Sequence, residues 1–161
     1  MAEMAPQERL LPFLLDRLVD EGDGRERAFT VKHYHRAILR DLVWLLNSPT
    51  KVERDNLEEF PEVAKSVLNY GMPDMAGSTQ SSTTPEMMEK MVKTAIHLFE
   101  PRIVRNTLQV RGISSAQGVG NTLALEIRGQ VWAQPLPESL YMKTAVDLET
   151  GACQLQDQLH T

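Results

Sequence analysis

The feature that most constrains this chain is a change in apolar spacing at residues 99–103, Phe-Glu-Pro-Arg-Ile. Before this stretch, apolar residues recur at the spacing of one face of an amphipathic helix. After it, apolar and polar residues alternate, as in strands with one buried face. Pro101 bars the residue before it from the right-handed helical region, so an arriving helix ends near Phe99. The order of helices followed by strands predicts an α+β fold.

Four helices are predicted before the change in spacing. They are a helix over 10–20, one over 31–47, a short one within 63–75 that Gly71 closes, and one over 85–99. Thr84, Pro85 and Glu86 follow the usual order of cap, first-turn proline and acidic residue at a helix start. The polar stretches 21–29 and 76–84 are predicted to be linkers.

Alternating patterns over 106–113, 122–132 and 140–148, and a short last segment near 152–155, predict a mainly antiparallel C-terminal sheet. In the third strand one set of positions forms a single face, namely Leu140, Met142, Thr144, Val146 and Leu148. We expect this face to pack on the helices. We expect the backbone edge of the same strand to be able to accept an added strand.

A single domain is predicted for residues 1–161, because the length suits one core. Within it, 1–9 is expected to be flexible, 10–100 mainly helical and 103–155 mainly β. The net charge of -5 gives no electrostatic reason to expect nucleic-acid binding. Without an apolar run near the roughly 18 residues of a membrane span, and without a signal pattern, a cytoplasmic protein that is not membrane-inserted is expected.

No metal or other cofactor is expected from the cysteine and histidine pattern. The single cysteine, Cys153, excludes an intramolecular disulfide and any site with several cysteines, and a packed thiol is predicted there. His33 and His35 lie on different faces of a helix, so they do not chelate one metal. Both are expected to be solvated surface histidines.

Glu100 is unusual in its position, because a carboxylate at a helix C-terminus meets the negative end of the helix dipole. We therefore expect its partner to lie elsewhere. A glycosidase would need a carboxylic acid of raised pKa opposite a second carboxylate. Arg102, two residues away, would instead favour the charged form and lower the pKa of Glu100. The chain is therefore predicted not to be an enzyme, and a lysozyme-like hydrolase is the less favoured alternative.

Three stretches together resemble the TssE family. They are Arg-Asp-Leu-Val-Trp-Leu-Leu-Asn (40–47), Ser-Val-Leu-Asn-Tyr-Gly-Met-Pro-Asp (66–74) and Phe-Glu-Pro-Arg-Ile (99–103), in this order and before an alternating C-terminal part. TssE proteins are baseplate subunits of the type VI secretion system, related to the wedge protein that starts the sheath in contractile phage tails. The resemblance covers about residues 10–155. Glu100, Pro101 and Arg102 match the signature tripeptide of the family.

The resemblance implies a structural baseplate subunit that joins the TssF–TssG wedge, and through it TssK. It implies that Glu100, Pro101 and Arg102 bind the helical core of the wedge. It also implies that the C-terminal sheet initiates assembly of the TssB–TssC sheath by strand addition. Such a baseplate docks at the cytoplasmic face of an inner-membrane complex.

Two alternatives remain open from the sequence. In the first, Glu100 and Arg102 pair with each other, or with Arg40 and Asp41, and stiffen the junction. If Glu100 and Arg102 are exposed instead, we expect replacing either one to change the free energy of unfolding by no more than about 0.5 kcal/mol. The second alternative is a stand-alone regulatory adaptor of the same fold, similar to IraD. Co-purification with TssF and TssG separates a wedge subunit from a free adaptor.

Overall fold

Helices precede strands throughout the described chain, so the predicted α+β fold is confirmed. The computed structural model describes residues 13–19, 31–50, 57–76, 83–113, 122–132 and 138–157. The described helices are Leu14–Val19 (α1), Val31–Asn47 (α2), Pro61–Lys65 (α3) and Pro85–Phe99 (α4), with short 3-10 turns at Val67–Asn69 and Arg105–Thr107. The described strands are Gln109–Ile113 (β1), Thr122–Val131 (β2), Glu138–Asp147 (β3) and Cys153–Asp157 (β4).

The described strands form one antiparallel sheet in the order β1-β2-β3-β4. One face of the sheet and the inner faces of α2 and α4 share a single apolar core. The side chains in this core that are almost completely buried include Ile38, Leu42, Leu45, Met88, Val92, Ile96, Leu125, Ile127 and Met142. The alternation seen in the sequence therefore correctly identifies the buried face of the sheet.

The strand that contains residues 140–147 is an inner strand of the sheet. Leu140, Met142, Thr144, Val146 and Leu148 are all buried in the core, as predicted. The prediction that this strand offers a free edge is wrong, because β3 pairs with β2 on one side and with β4 on the other. The chain turns back after Asp147, whose carbonyl accepts a hydrogen bond from the Gly151 N–H at 2.7 Å. The outer strands are β1 and β4.

Two of the predicted helices differ from the structure. The apolar residues of α1, Leu14, Leu15, Leu18 and Val19, are exposed rather than packed, and α1 contacts the rest of the chain through polar and aromatic groups described below. The helix predicted within 63–75 is broken at Ser66, which is extended (φ -79°, ψ 165°) and accepts a hydrogen bond from the Leu68 N–H. A serine side chain that bonds to the backbone competes with helix continuation in this way.

The start and end of α4 agree with the prediction. The hydroxyl oxygen of Thr84 accepts a hydrogen bond from the Met87 N–H at 3.3 Å, and Pro85 is the first helical residue. The helix ends at Phe99. The expectations for residues 1–9, for the linker 21–29 and for 77–82 lie outside the described residues.

We expect Gly71→Ala to destabilise the fold strongly. Gly71 has φ +122°, and a Cβ atom there would lie 2.0 Å from the carbonyl oxygen of Ser48. The clash cannot relax easily, because the same oxygen accepts a hydrogen bond from the Met72 N–H at 2.8 Å. The free energy of unfolding, measured by urea denaturation, should fall by about 3 kcal/mol. Gly151→Ala is the matched control: φ there is +73° and the nearest atom is 3.2 Å away, so its loss should be about 1 kcal/mol. Equal losses would contradict this interpretation.

Candidate functional site

The junction between α4 and the sheet is a tight turn centred on Pro101. The Ile103 N–H donates a hydrogen bond to the Glu100 carbonyl at 3.2 Å, which places proline at the second position of the turn. The fixed φ of proline suits that position. Pro101 is exposed, whereas Glu100 is buried on one side of it and Ile103 on the other. The turn therefore projects Pro101 from an anchored backbone.

The same junction is joined to the end of β2 by main-chain hydrogen bonds. The Trp132 N–H donates to the Arg102 carbonyl at 2.8 Å, and the Val104 N–H donates to the Gln130 carbonyl at 2.9 Å. Residues 102–104 thus continue the sheet beside the last residues of β2. The end of α4 and the end of β2 are held together at this point.

Arg102 bridges two carboxylates from different elements. Its Nε contacts Oε1 of Glu100 at 2.5 Å, and its Nη2 contacts the second oxygen of Glu100 as well as Oδ2 of Asp41, the latter at 2.7 Å. The side chains of Arg102 and Asp41 are 20% and 23% exposed, and that of Glu100 only 4%. The expectation that the partner of Glu100 lies elsewhere is therefore wrong. The alternative of pairing within the junction and with α2 is observed, and the assumption that these residues are exposed does not hold for Glu100.

The charged network continues from Asp41 to α1. The second oxygen of Asp41 accepts a hydrogen bond from Nε of Arg40 at 2.9 Å, and Nη1 of Arg40 contacts the carboxylate of Asp16. Acidic and basic groups therefore alternate from Glu100 to Asp16. Networks of this kind contribute more than isolated surface pairs, because the three inner charges, Arg102, Asp41 and Arg40, each have an opposite charge on both sides. Through Asp16 the network attaches α1 to α2.

Aromatic rings cover the network on the side of α1. The guanidinium carbon of Arg102 lies 4.3 Å from the centre of the Phe13 ring, a distance that gives a cation–π contact. Phe13 in turn packs on Tyr34, with ring centres 4.9 Å apart. The Tyr34 hydroxyl donates to the Trp132 carbonyl at 2.6 Å. Arg102 is thereby fixed in orientation as well as in charge.

Burial and neighbouring charges set the ionisation of the site. Burial by itself would lower the pKa of Arg102, but hydrogen bonds and charges from Glu100 and Asp41 outweigh it, and the pKa is raised. For the phenols of Tyr34 and Tyr70 burial acts in the other direction, and it is the main reason why their pKa values are raised. Arg102 therefore stays positively charged, and both phenols stay neutral, at neutral pH.

One cavity of the described chain lies beside the end of α2. This cavity, of about 160 Å³, lies between the end of α2, residues 72–75 and the turn after β3, and Asp74 is the one carboxylate among its lining residues. Cys153 also lines it. Its thiol is buried beside the Thr144 hydroxyl, and burial raises the pKa of Cys153, which confirms the predicted packed thiol.

Histidines and acids do not gather into a metal site in the described part of the chain. Across those residues no group of three or more His, Cys, Asp or Glu side chains is placed to hold a metal ion. His33 is exposed as predicted, but His35 is buried, so its prediction as a surface histidine is wrong. The two residues lie on different faces of α2, as their spacing requires.

Several members of the site could not be identified from the sequence. Arg40 and Asp41 were already considered as pairing partners of Glu100 and Arg102. Nothing in the local sequence around Phe13, Asp16 or Tyr34 indicates that these residues belong to the site. Their positions depend on how α1 and α2 meet the junction. Phe13 and Asp16 could be recognised as partners of the charged network only after the position and burial of Arg102 are known.

The sequence matches the family described as baseplate wedge protein gp25 over residues 32–136. That range covers α2 from its second residue, the junction, β1 and β2, and it ends before β3. Searches among curated proteins and among solved structures gave no match. None of the helices in the described ranges is long and apolar enough to cross a membrane.

We expect Arg102→Met to lower the free energy of unfolding by about 3–5 kcal/mol, because it leaves the Glu100 carboxylate buried without its counter-charge. Adding Glu100→Leu to Arg102→Met should restore part of that loss, since the buried charge is then removed as well. Both are measured by chemical denaturation.

Lys65→Met is the matched control, because Lys65 forms an exposed ion pair with Glu62 at 3.9 Å. Its effect should stay within about 0.5 kcal/mol. Similar losses for Arg102→Met and Lys65→Met would mean that the network does not stabilise the fold.

Proposed function

The chain belongs to the gp25 baseplate wedge family, and we propose that it is the TssE-type subunit of a type VI secretion baseplate. The family match supports a structural role in the baseplate of a contractile injection system, in contact with other baseplate components. In the proposed role the chain joins the TssF–TssG wedge and, through it, TssK. Its sheet then starts assembly of the TssB–TssC sheath. This work takes place in the cytoplasm, at the face of the inner-membrane complex.

The observation that carries the wedge-binding part is the anchoring of one exposed turn to several elements. Pro101 is exposed, while Arg102 beside it is bound to Glu100 and Asp41 and its carbonyl is bound to Trp132. A turn that is already ordered loses little conformational freedom when a partner binds, which favours affinity. The turn is therefore suited to docking on a rigid helical partner.

In the proposed function, the three residues of the tripeptide have different roles. Glu100 is 4% exposed and both of its oxygens contact Arg102, so in the proposed function it positions the turn. Pro101 and the exposed fifth of Arg102 are the parts that meet the wedge. The binding role assigned to Glu100 by the family resemblance is therefore proposed here as indirect.

We expect Pro101→Ala to weaken capture of the chain by TssF–TssG about tenfold, because an apolar contact and the fixed turn geometry are both lost. Loss of the proline should lower stability by no more than about 1 kcal/mol, since no hydrogen bond depends on its side chain. The measurements are pull-down of the purified chain with co-expressed TssF and TssG, and the melting temperature.

Lys93→Ala is the control for that experiment, because Lys93 is exposed on α4 away from the turn. It should change neither capture nor melting temperature. Unchanged capture of the Pro101→Ala chain would argue against docking through this turn. Failure of the wild-type chain to bind TssF–TssG would instead favour a stand-alone adaptor.

We also propose that the chain is not a peptidoglycan hydrolase. Both oxygens of Glu100 are occupied by Arg102, which leaves this acid unsuited to donate a proton to a leaving group. Incubation of the purified chain with peptidoglycan should release no muropeptides. Release that is abolished by Glu100→Gln would overturn this proposal.

A further inference from the structure

The two outer strands of the sheet differ in how their free edges are covered. At β1 the Gly112 N–H points away from β2 and donates to Oε1 of Glu89 at 2.5 Å. A Cβ atom at Gly112 would lie 2.9 Å from Cβ of Pro85. The Glu89 carboxylate therefore occupies an outward N–H of this edge, and the start of α4 lies against the face of the sheet at Gly112. A strand added there would have to displace Glu89.

At β4 a single side chain occupies the edge. The Cys153 N–H donates to Oδ1 of Asn47 at 2.9 Å, and the Cys153 carbonyl accepts from Nδ2 of Asn47 at 2.9 Å. Asn47 thus makes the two hydrogen bonds that a residue of a neighbouring antiparallel strand would make. Its amide is held in place by a further bond to the Val43 carbonyl at 2.8 Å.

Beyond Cys153 the pairing pattern leaves main-chain groups directed outwards. Cys153 lies opposite Val146, and its N–H and carbonyl bond to Asn47 rather than to β3. Because inward and outward groups alternate in an antiparallel pair, Leu155 and Asp157 also direct their N–H and carbonyl groups away from β3. Within the described ranges no strand lies beyond β4. Along this edge, the next outward main-chain groups therefore lie two residues after the position that Asn47 closes.

We infer that Asn47 sets the register at which an extended segment of a sheath subunit adds to β4. The inference rests on the proposed function and makes it more specific. The incoming strand pairs with the main chain of Leu155 and Asp157 and stops at Cys153, where its hydrogen-bonding positions are already taken. Strand addition depends on main-chain bonds, so without a stop the segment is free to slide by two residues with the same faces inward.

Amide hydrogen exchange tests the inference in the full chain, alone and with purified TssB–TssC. In the free chain the Cys153 amide should exchange slowly. On sheath addition the Leu155 and Asp157 amides should slow by about tenfold or more, the effect of one new hydrogen bond of about 1.4 kcal/mol. The Gly112 amide should not change. In Asn47→Ala the Cys153 amide should exchange faster in the free chain and become protected when sheath subunits add.

A pair of substitutions gives a second readout. Leu155→Pro removes an outward N–H but no bond to β3, so the chain should fold and bind TssF–TssG yet fail to start a sheath. Gln154→Ala is the control: its side chain is exposed and its N–H is kept, so sheath assembly should be normal.

The outcomes separate the inference from the function on which it rests. If TssB–TssC adds to the wild-type chain but protects the Gly112 amide, or leaves Leu155 and Asp157 unprotected, the edge is wrongly assigned. If Asn47→Ala leaves the protected set unchanged, the register stop is refuted. If TssB–TssC does not add to the wedge-bound wild-type chain at all, the proposed sheath function itself fails.

Discussion

The bridge that Arg102 makes between Glu100 and Asp41 is the interaction on which the arrangement of the site depends. Glu100 directly follows α4, Asp41 lies in the middle of α2, and the Arg102 main chain is bonded to the residue after β2. Arg102 therefore joins the end of α4 to α2 through its guanidinium, and to the sheet through its main chain. Arginine suits this position better than lysine, because its planar fork presents several donors in fixed directions and still stacks on the Phe13 ring.

The two ends of α4 and the buried face of the sheet could be predicted from local chemistry. The cap at Thr84, the end of α4 at Phe99 and the buried positions of β3 all follow from rules that act within a few residues. The exposed leucines of α1 could not be predicted, because amphipathic spacing shows which residues share a face and not whether that face is covered. α1 is attached instead through Phe13 and Asp16.

The partner of Glu100 was missed for a related reason. Two residues apart on an extended chain, Glu100 and Arg102 would be free to diverge around the proline. The turn closed by the Ile103 N–H brings them together, and Asp41 comes from 61 residues away along the chain. The edge of the sheet was missed likewise, since alternation identifies a buried face but does not identify the neighbouring strands. The first error concerns the conformation of a tight turn, and the second concerns which strands pair on each side of β3.

Helix α2 connects the two proposed binding regions. Asp41 binds Arg102 at the turn, and Asn47 binds the main chain of Cys153 at the edge of β4. They are six residues apart, which corresponds to roughly 9 Å along a helix axis and to different sides of the helix. α2 is also packed in the core through Ile38, Leu42 and Leu45, so it has little freedom to shift relative to the sheet. If the turn binds the wedge as proposed, the wedge would therefore also hold the edge of β4 in a defined position, without any conformational change within the chain.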